Sequence, residues 1–340
     1  MTADAHIGAA SGVRRGGRLE VAWFPAWEPA LDDALQALPP LPQCPPDLYR
    51  ELCVRPAAGG RRVALVTHRG APVAVAGLRR TGPRSWEPVT GWIVPGLVVP
   101  ARPEHLMPAL EALGLDLWLG WWRMAAPPPL GAGARHRESY SAHRAHLSDD
   151  YEQHWRRSKL MRSVQNVRNR CRGLRVAINE PGAAEWVVRG WGDRWSVAED
   201  ALADRMLVTA HLQRLGRHFT LSLHDGETIV GGLTQTVHGN DLVAGVVHRD
   251  PAYERYGIGT RLIDAVFAFA REAGFDTLDI GGGHDYKARW APPEGETWLV
   301  NVCPARLHHA RQVRRAVCAV PRRLSAARRR HERGARSGSA

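Results

Sequence analysis

The spacing of hydrophobic positions changes along this chain, and the changes mark its elements. In "RRVALVTHRGAPVAVAGLRR" (61–80) two β-branched runs flank an Arg-Gly turn, the pattern of a hairpin. A proline stretch over 39–46 leads into a short helix around 47–54. The spacing predicts a strand within 85–99, a helix over 103–114 stopped by glycine, and a buried strand over 115–122. Residues 125–139, "AAPPPLGAGARHRES", have a linker's composition. Beyond them, 149–173 predicts one long basic helix, its start capped by Ser148, Asp149 and Asp150. A strand over 174–179, helices between Ala183 and Leu215, a hairpin over 219–237 and a strand over 241–250 follow. The last pair is a helix over 258–273, ended by Gly274, and a strand over 275–280.

The order repeats. "LVTHRGAPVAVAGL" resembles "LSLHDGETIVGGL", and "LEALGLDLWL" resembles "REAGFDTLDI", so one α/β unit is used twice. A length of 340 residues accommodates two such domains. With 44% hydrophobic and 24% charged residues each half can bury a core, and no apolar run is long enough to cross a bilayer. The N-terminus has no apolar signal segment. The five cysteines, at 44, 53, 171, 303 and 318, show no metal-ligand spacing. A cytoplasmic chain with reduced thiols and no structural metal is the expectation.

The net charge of +12 fits a nucleic-acid binder, but only two of the 46 basic residues are lysines, Lys159 and Lys287. So strong an arginine skew is compositional wherever any positive charge suffices. It also singles out the two lysines, because a site needing a compact, deprotonatable ammonium cannot accept arginine. The run Glu254-Arg255-Tyr256-Gly257-Ile258-Gly259-Thr260 places glycines at a helix start, where unpaired amides and the helix dipole favour an anion. It lacks the Gly-Lys-Ser/Thr ending of a P-loop, and as a plain turn it needs no ligand at all.

The order of basic helix, helices, hairpin, strand, "YGIG" helix and "LDIGGGHDYKARW" resembles the GNAT superfamily of acyltransferases. The closer likeness is to its double-GNAT branch of cellulose-biosynthesis-type, BioF-like acetyltransferases, kin to the Fem aminoacyltransferases. The resemblance implies two tandem GNAT-like domains, each a mixed sheet flanked by helices. Its boundaries fall at 1–18 (disordered), 19–130 (a degenerate first domain), 131–148 (linker), 149–305 (acyltransferase domain) and 306–340 (a basic, helical or disordered tail). It implies acyl-CoA as donor, held by Arg255, Tyr256, Gly257, Ile258, Gly259 and Thr260 and by the backbone of Val246 and Val247 on a strand splayed from its neighbour. Glu254 stands where the family has Arg or Gln. It further implies catalytic roles for Lys287, Tyr286, Asp279 and His248, and acceptor contacts from Lys159, Arg162 and Asp285. The first half has prolines 100 and 103 where the second has "YGIG", so it binds no donor phosphate.

The resemblance implies a small-molecule or cell-envelope-precursor amine as acceptor, lying between the halves. Two alternatives stay open: a Fem-like enzyme using aminoacyl-tRNA, and a non-catalytic pair that binds RNA or membrane. The eleven arginines of 306–336 suit peripheral contact with anionic membrane or RNA, without aromatic residues to stack on bases.

Overall fold

The computed structural model describes residues 14–16, 19–41, 43–91, 99–124, 135–148, 150–282 and 284–304. The first half holds β1 (Arg14–Gly16), β2 (Leu19–Phe24), α1 (Pro29–Gln36), α2 (Pro46–Val54), β3 (Arg61–His68), β4 (Ala71–Arg80), β5 (Ser85–Pro88), α3 (Leu106–Ala112) and β6 (Asp116–Met124). The second holds β7 (Arg135–His146), α4 (Tyr151–Arg157), α5 (Met161–Arg170), β8 (Arg175–Ile178), α6 (Ala183–Trp195) and α7 (Glu199–Arg214). It continues with β9 (His218–Asp225), β10 (Thr228–His238), β11 (Asp241–Arg249), α8 (Ile258–Glu272), β12 (Thr277–Gly282) and β13 (Pro293–Val302). The repeat read from the sequence is a repeat of structure: β2-α1-α2-β3-β4-β5-α3-β6 is matched by β8-α6-α7-β9-β10-β11-α8-β12. In each unit one strand pair is parallel and bridged by a helix, β5 with β6 and β11 with β12.

The two units form one sheet of thirteen described strands, in the order β1-β2-β3-β4-β5-β6-β13-β7-β12-β11-β10-β9-β8. The joint is β13, which returns from the second unit to lie antiparallel between β6 and β7. Helix α7 ties the units together on one face. Val208 and Leu212 pack with Leu31, Leu35, Tyr49 and Leu52 of the first half. Beside them the buried carboxylate of Asp204 accepts from Arg61 at 2.7 Å and Arg79 at 3.1 Å, with Arg55 at 3.3 Å.

The structure departs from the sequence reading in two places that bear on the site. The single helix over 149–173 is two, α4 and α5, broken where Lys159 takes a left-handed φ of 59°. The break lets α4 serve another segment: His154 Nε2, Ser158 Oγ and Trp155 Nε1 contact the carbonyl oxygens of Ala288, Arg289 and Trp290 at 2.9, 2.8 and 2.9 Å. And the stretch expected as linker carries strand β7 from Arg135 onward, paired with both β12 and β13. The basic tail from 305, residues 1–13 and Gly283 lie outside the described residues. Among those described, no helix is long and apolar enough to cross a membrane and no group of acidic, histidine and cysteine side chains could hold a metal.

Candidate active site

The site is built where β11 and β12 part. Their parallel ladder runs only from Asp241–Thr277 through Leu242–Leu278 to Val243–Asp279. Beyond Val243 and Asp279 the facing edges of the two strands have backbone groups with no ladder partner across the gap. A bulge starts the divergence. On β10, Leu233 pairs Val247 and Gln235 pairs Ala244, so Thr234 faces two residues of β11, Gly245 and Val246. Thr234 Oγ1 takes the Val246 amide at 2.9 Å, which pins the bulge from within the sheet. Gly245 is required there, because a Cβ would sit 2.5 Å from the same Oγ1. Of the two residues expected to polarise an acyl carbonyl, Val246 has therefore committed its amide to Thr234. Val247 is 39% exposed.

At the far end of β11 a short 3-10 turn over Pro251–Tyr256 delivers the chain to α8. Gly257, with φ +80°, is its left-handed N-cap, and no side chain caps the helix. The first amides of α8 thus have no carbonyl one turn behind them within the helix. A Cβ on Gly259 would meet Arg249 Nη1 at 2.8 Å, so the guanidinium of Arg249 occupies the space that glycine leaves. Arg255 lies over the Tyr256 ring, 5.0 Å from its centroid, and Arg170 Nη1 donates to the Arg255 carbonyl. Arg249 and Arg170 were not foreseen from sequence. The signal available was indirect: a glycine at the second position of a helix implies that something else fills its side-chain volume.

The segment after β12 forms a 3-10 turn over Asp285–Arg289, held by α4 as described above. Lys287 Nζ donates to the Gly282 carbonyl at 3.0 Å and so ties the turn to the strand end. Tyr286 is 49% exposed and stacks on His284; burial of its hydroxyl raises its pKa, with Arg249 pulling the other way. Asp279 is 1% exposed and accepts from the Gly281 amide at 2.8 Å. Asp285, Lys159 and Arg162 are exposed, and the Lys159 carbonyl accepts from Arg289 at 3.3 Å, which brings Lys159 to the Lys287 turn.

His248 sits on the opposite side of the sheet from α8. Its ring is 4.4 Å from that of Trp186 and lies against Gly190, both on α6, where any Cβ at 190 would strike the imidazole. Desolvation lowers its pKa, offset by Asp193 and Asp250, so it is neutral and able to take a proton at pH 7. The gap is therefore flanked by an anion-friendly helix start on one side and a neutral imidazole on the other.

Residues 154–288 match the acetyltransferase (GNAT) domain family. Over these residues the chain carries a GNAT acetyltransferase domain. The matched span runs from α4 to the Lys287 turn and contains the gap, the α8 turn and His248. Among curated proteins, none matches the sequence. Among solved structures, a tandem GNAT protein from the clavulanic acid biosynthesis pathway superposes at TM-score 0.45 and 14% identity, covering 84% of this chain and 98% of its own. FemX superposes at 0.41 and 11% identity, covering 84% and 98%. L-PGS from Bacillus licheniformis superposes at 0.44 and 12% identity, covering 83% and 94%. Of the two related units in the sheet, the family match lies in the second.

Proposed function

We propose that this GNAT protein moves an acyl group from acyl-coenzyme A to an amine acceptor held on the α6–α7 side of the gap, beside the joint between its halves. The observation that carries the reading is the parting of β11 from β12 after Val243 and Asp279, next to the uncapped start of α8. Coenzyme A supplies a thioester and a negatively charged handle. The left-handed turn at Gly257, the first amides of α8 and the guanidinium groups of Arg249 and Arg255 are the groups suited to that handle. Unpartnered amides on the β11 edge from Val247 are suited to the acyl oxygen as its negative charge grows. His248, kept neutral by partial desolvation against Trp186, accepts the proton that the attacking amine gives up. The amine nitrogen bonds to the carbonyl carbon, the carbon–sulfur bond breaks, and the thiolate takes a proton. Tyr286, kept protonated by its raised pKa, can return one.

The test is a thermal-shift and thiol-release experiment. Coenzyme A should raise the melting temperature, and acetyl-CoA should release thiol when suitable amines are supplied. His248→Ala should lower kcat by roughly 10²–10⁴ with the coenzyme A shift intact. No shift with coenzyme A, together with RNase-sensitive transfer from aminoacyl-tRNA, would replace this reading with the Fem-like one.

A further inference from the structure

The second unit opens on a stretch of one charge sign. From Gln153 to Asn179 there are eight arginine or lysine residues and no aspartate or glutamate. Three of the eight are engaged by carboxylates: Arg156 by Asp150 and Glu152, Arg168 by Asp264, and Arg175 by Glu180. The other five, Arg157, Lys159, Arg162, Arg170 and Arg172, are exposed and form no ion pair among the described residues. Arg157, Arg170 and Arg172 donate only to neutral oxygens, those of Gln153, Arg255 and Asn169. Helix α5 buries Val164 and Val167 and turns its opposite side to solvent. On that side Arg162 and Arg170 stand about 12 Å apart along the axis, with exposed Asn166 between them.

The turn from Cys171 to Leu174 carries the chain directly into β8, the last strand at this edge of the sheet. Val176 and Ile178 stand opposite Leu223 and Leu221 of β9, so they share the sheet face that α5 and α8 cover. Both are 37% exposed. Five cations without a counter-charge, continuing into an exposed aliphatic pair, fit a surface with dense negative charge over an apolar interior. Nucleic acid matches only the charge. No aromatic residue occurs from Arg156 to Asn179 for bases to stack on, and Val176 and Ile178 gain nothing from phosphate.

We propose that this face of the second unit, α5 with β8, docks on an anionic lipid surface. Arg162, Arg170 and Arg172 meet the lipid phosphates, while Val176 and Ile178 enter the edge of the acyl region. Docking brings the α8 turn beside the bilayer, since Arg170 donates to the Arg255 carbonyl at 3.3 Å. The surface does not depend on the acyl-transfer reading, and each stands or falls by its own measurement.

Cosedimentation of the full chain with vesicles tests it, using phosphatidylcholine alone and an equimolar mixture of phosphatidylcholine and phosphatidylglycerol. The wild type should bind only the vesicles that contain phosphatidylglycerol. It should be released as salt rises from about 0.1 M to 1 M and the screening length falls from about 10 Å to 3 Å. Each cation near such a surface contributes about fivefold in partitioning, so Arg162→Gln with Arg172→Gln should weaken binding about 25-fold. Val176→Thr with Ile178→Thr keeps the strand β-branched; this pair should weaken binding further while the salt dependence persists. Equal binding to both vesicles, or none, overturns the proposal. So does phosphatidylglycerol binding that the arginine pair leaves unchanged, which would move the contact to another surface. A transfer RNA that binds more tightly than the vesicles, and loses affinity in the arginine pair but not in the valine–isoleucine pair, overturns lipid in favour of RNA. Should the arginine pair fail to fold, Arg162→Gln alone should weaken vesicle binding about fivefold. Coenzyme A thermal shifts on the same samples decide the donor reading separately.

Discussion

Two alanine substitutions in the α8 turn, two residues apart, should behave in opposite ways. Gly257 has φ +80°, and an alanine Cβ there would lie 2.8 Å from Val167 Cγ2 and 3.4 Å from Arg170 Nη2. The left-handed backbone costs a non-glycine residue about 1–2 kcal/mol. Val167 is 2% exposed in the core beneath α5, so the clash is with packed atoms and adds about 1–3 kcal/mol. The sum is about 2–5 kcal/mol. At about 2.1 cal/mol/K of unfolding entropy per residue over 340 residues, that lowers the melting temperature by roughly 3–7 °C if the halves melt together.

Gly259 has ordinary helical backbone, and the atom its Cβ would meet first is Arg249 Nη1, the free end of a long side chain. Arg249 can swing aside, and alanine is the better helix former, so Gly259→Ala should melt within about 1 °C of wild type. Displacing Arg249 removes a charge-assisted contact worth about 1.5–3 kcal/mol, which predicts coenzyme A binding weakened about 10- to 100-fold. Differential scanning fluorimetry and calorimetric titration with coenzyme A read both. A Gly259→Ala protein as unstable as Gly257→Ala would mean that Arg249 is fixed there for folding. Two variants that bind coenzyme A as wild type does would remove the turn from the donor site.

Other expectations follow from the same geometry. Asp204→Ala leaves Arg61 and Arg79 buried without their shared carboxylate, and chemical denaturation should show a loss of about 3–5 kcal/mol. His218 has a folded pKa of about 4 against an ordinary 6.5, so the unfolded chain binds its proton first as pH falls. Stability should therefore decline from pH 6.5 toward 4, by about 3 kcal/mol from this residue, and His218→Gln should flatten that slope in urea titrations at stepped pH. Gly190→Ala would place a Cβ 2.3 Å from the His248 ring; pushed off α6, the imidazole should titrate nearer its ordinary range by NMR and kcat should fall. Thr234→Val strands the buried Val246 amide and should cost about 1–3 kcal/mol in the same denaturation assay.

What could be read from sequence was local. The repeated unit, the helix that starts at Ile258 and the strand pair around it were legible because each rests on a run of residues with its own period and its own glycine stops. The crossing of β13 was not. Its pairing of Asn301 with Trp118 and His136 joins positions more than 160 residues apart, and nothing in "ETWLVNV" names its partners. The break at Lys159 was hidden for a similar reason, since the carbonyls that hold it open belong to residues 288–290.

The polar face of β9, His218, Thr220, Ser222 and His224, all buried, shows a subtler limit. Alternation in "HFTLSLH" correctly separates two faces of a strand, and the ordinary inference assigns the polar one to water. Here α6 and α7 cover it, and α7 does so while facing the first half as well, with Asp204 turned toward the first half, Arg205 and Thr209 toward the sheet, and Val208 and Leu212 packed between. A helix buried on two sides has no single apolar stripe, so its pattern did not announce that the polar face beneath it was interior. The first half, whose prolines 100 and 103 remove amide donors from its own turn, is tied to the second through this helix. Its core closes over Val208 and Leu212 of α7, and Asp204 on the same helix is held by Arg61 and Arg79. If that coupling is what the first half contributes, loosening the joint with Asp204→Asn should lower the melting temperature before it affects coenzyme A binding. Loss of both together would instead mean that the α8 turn itself depends on the joint.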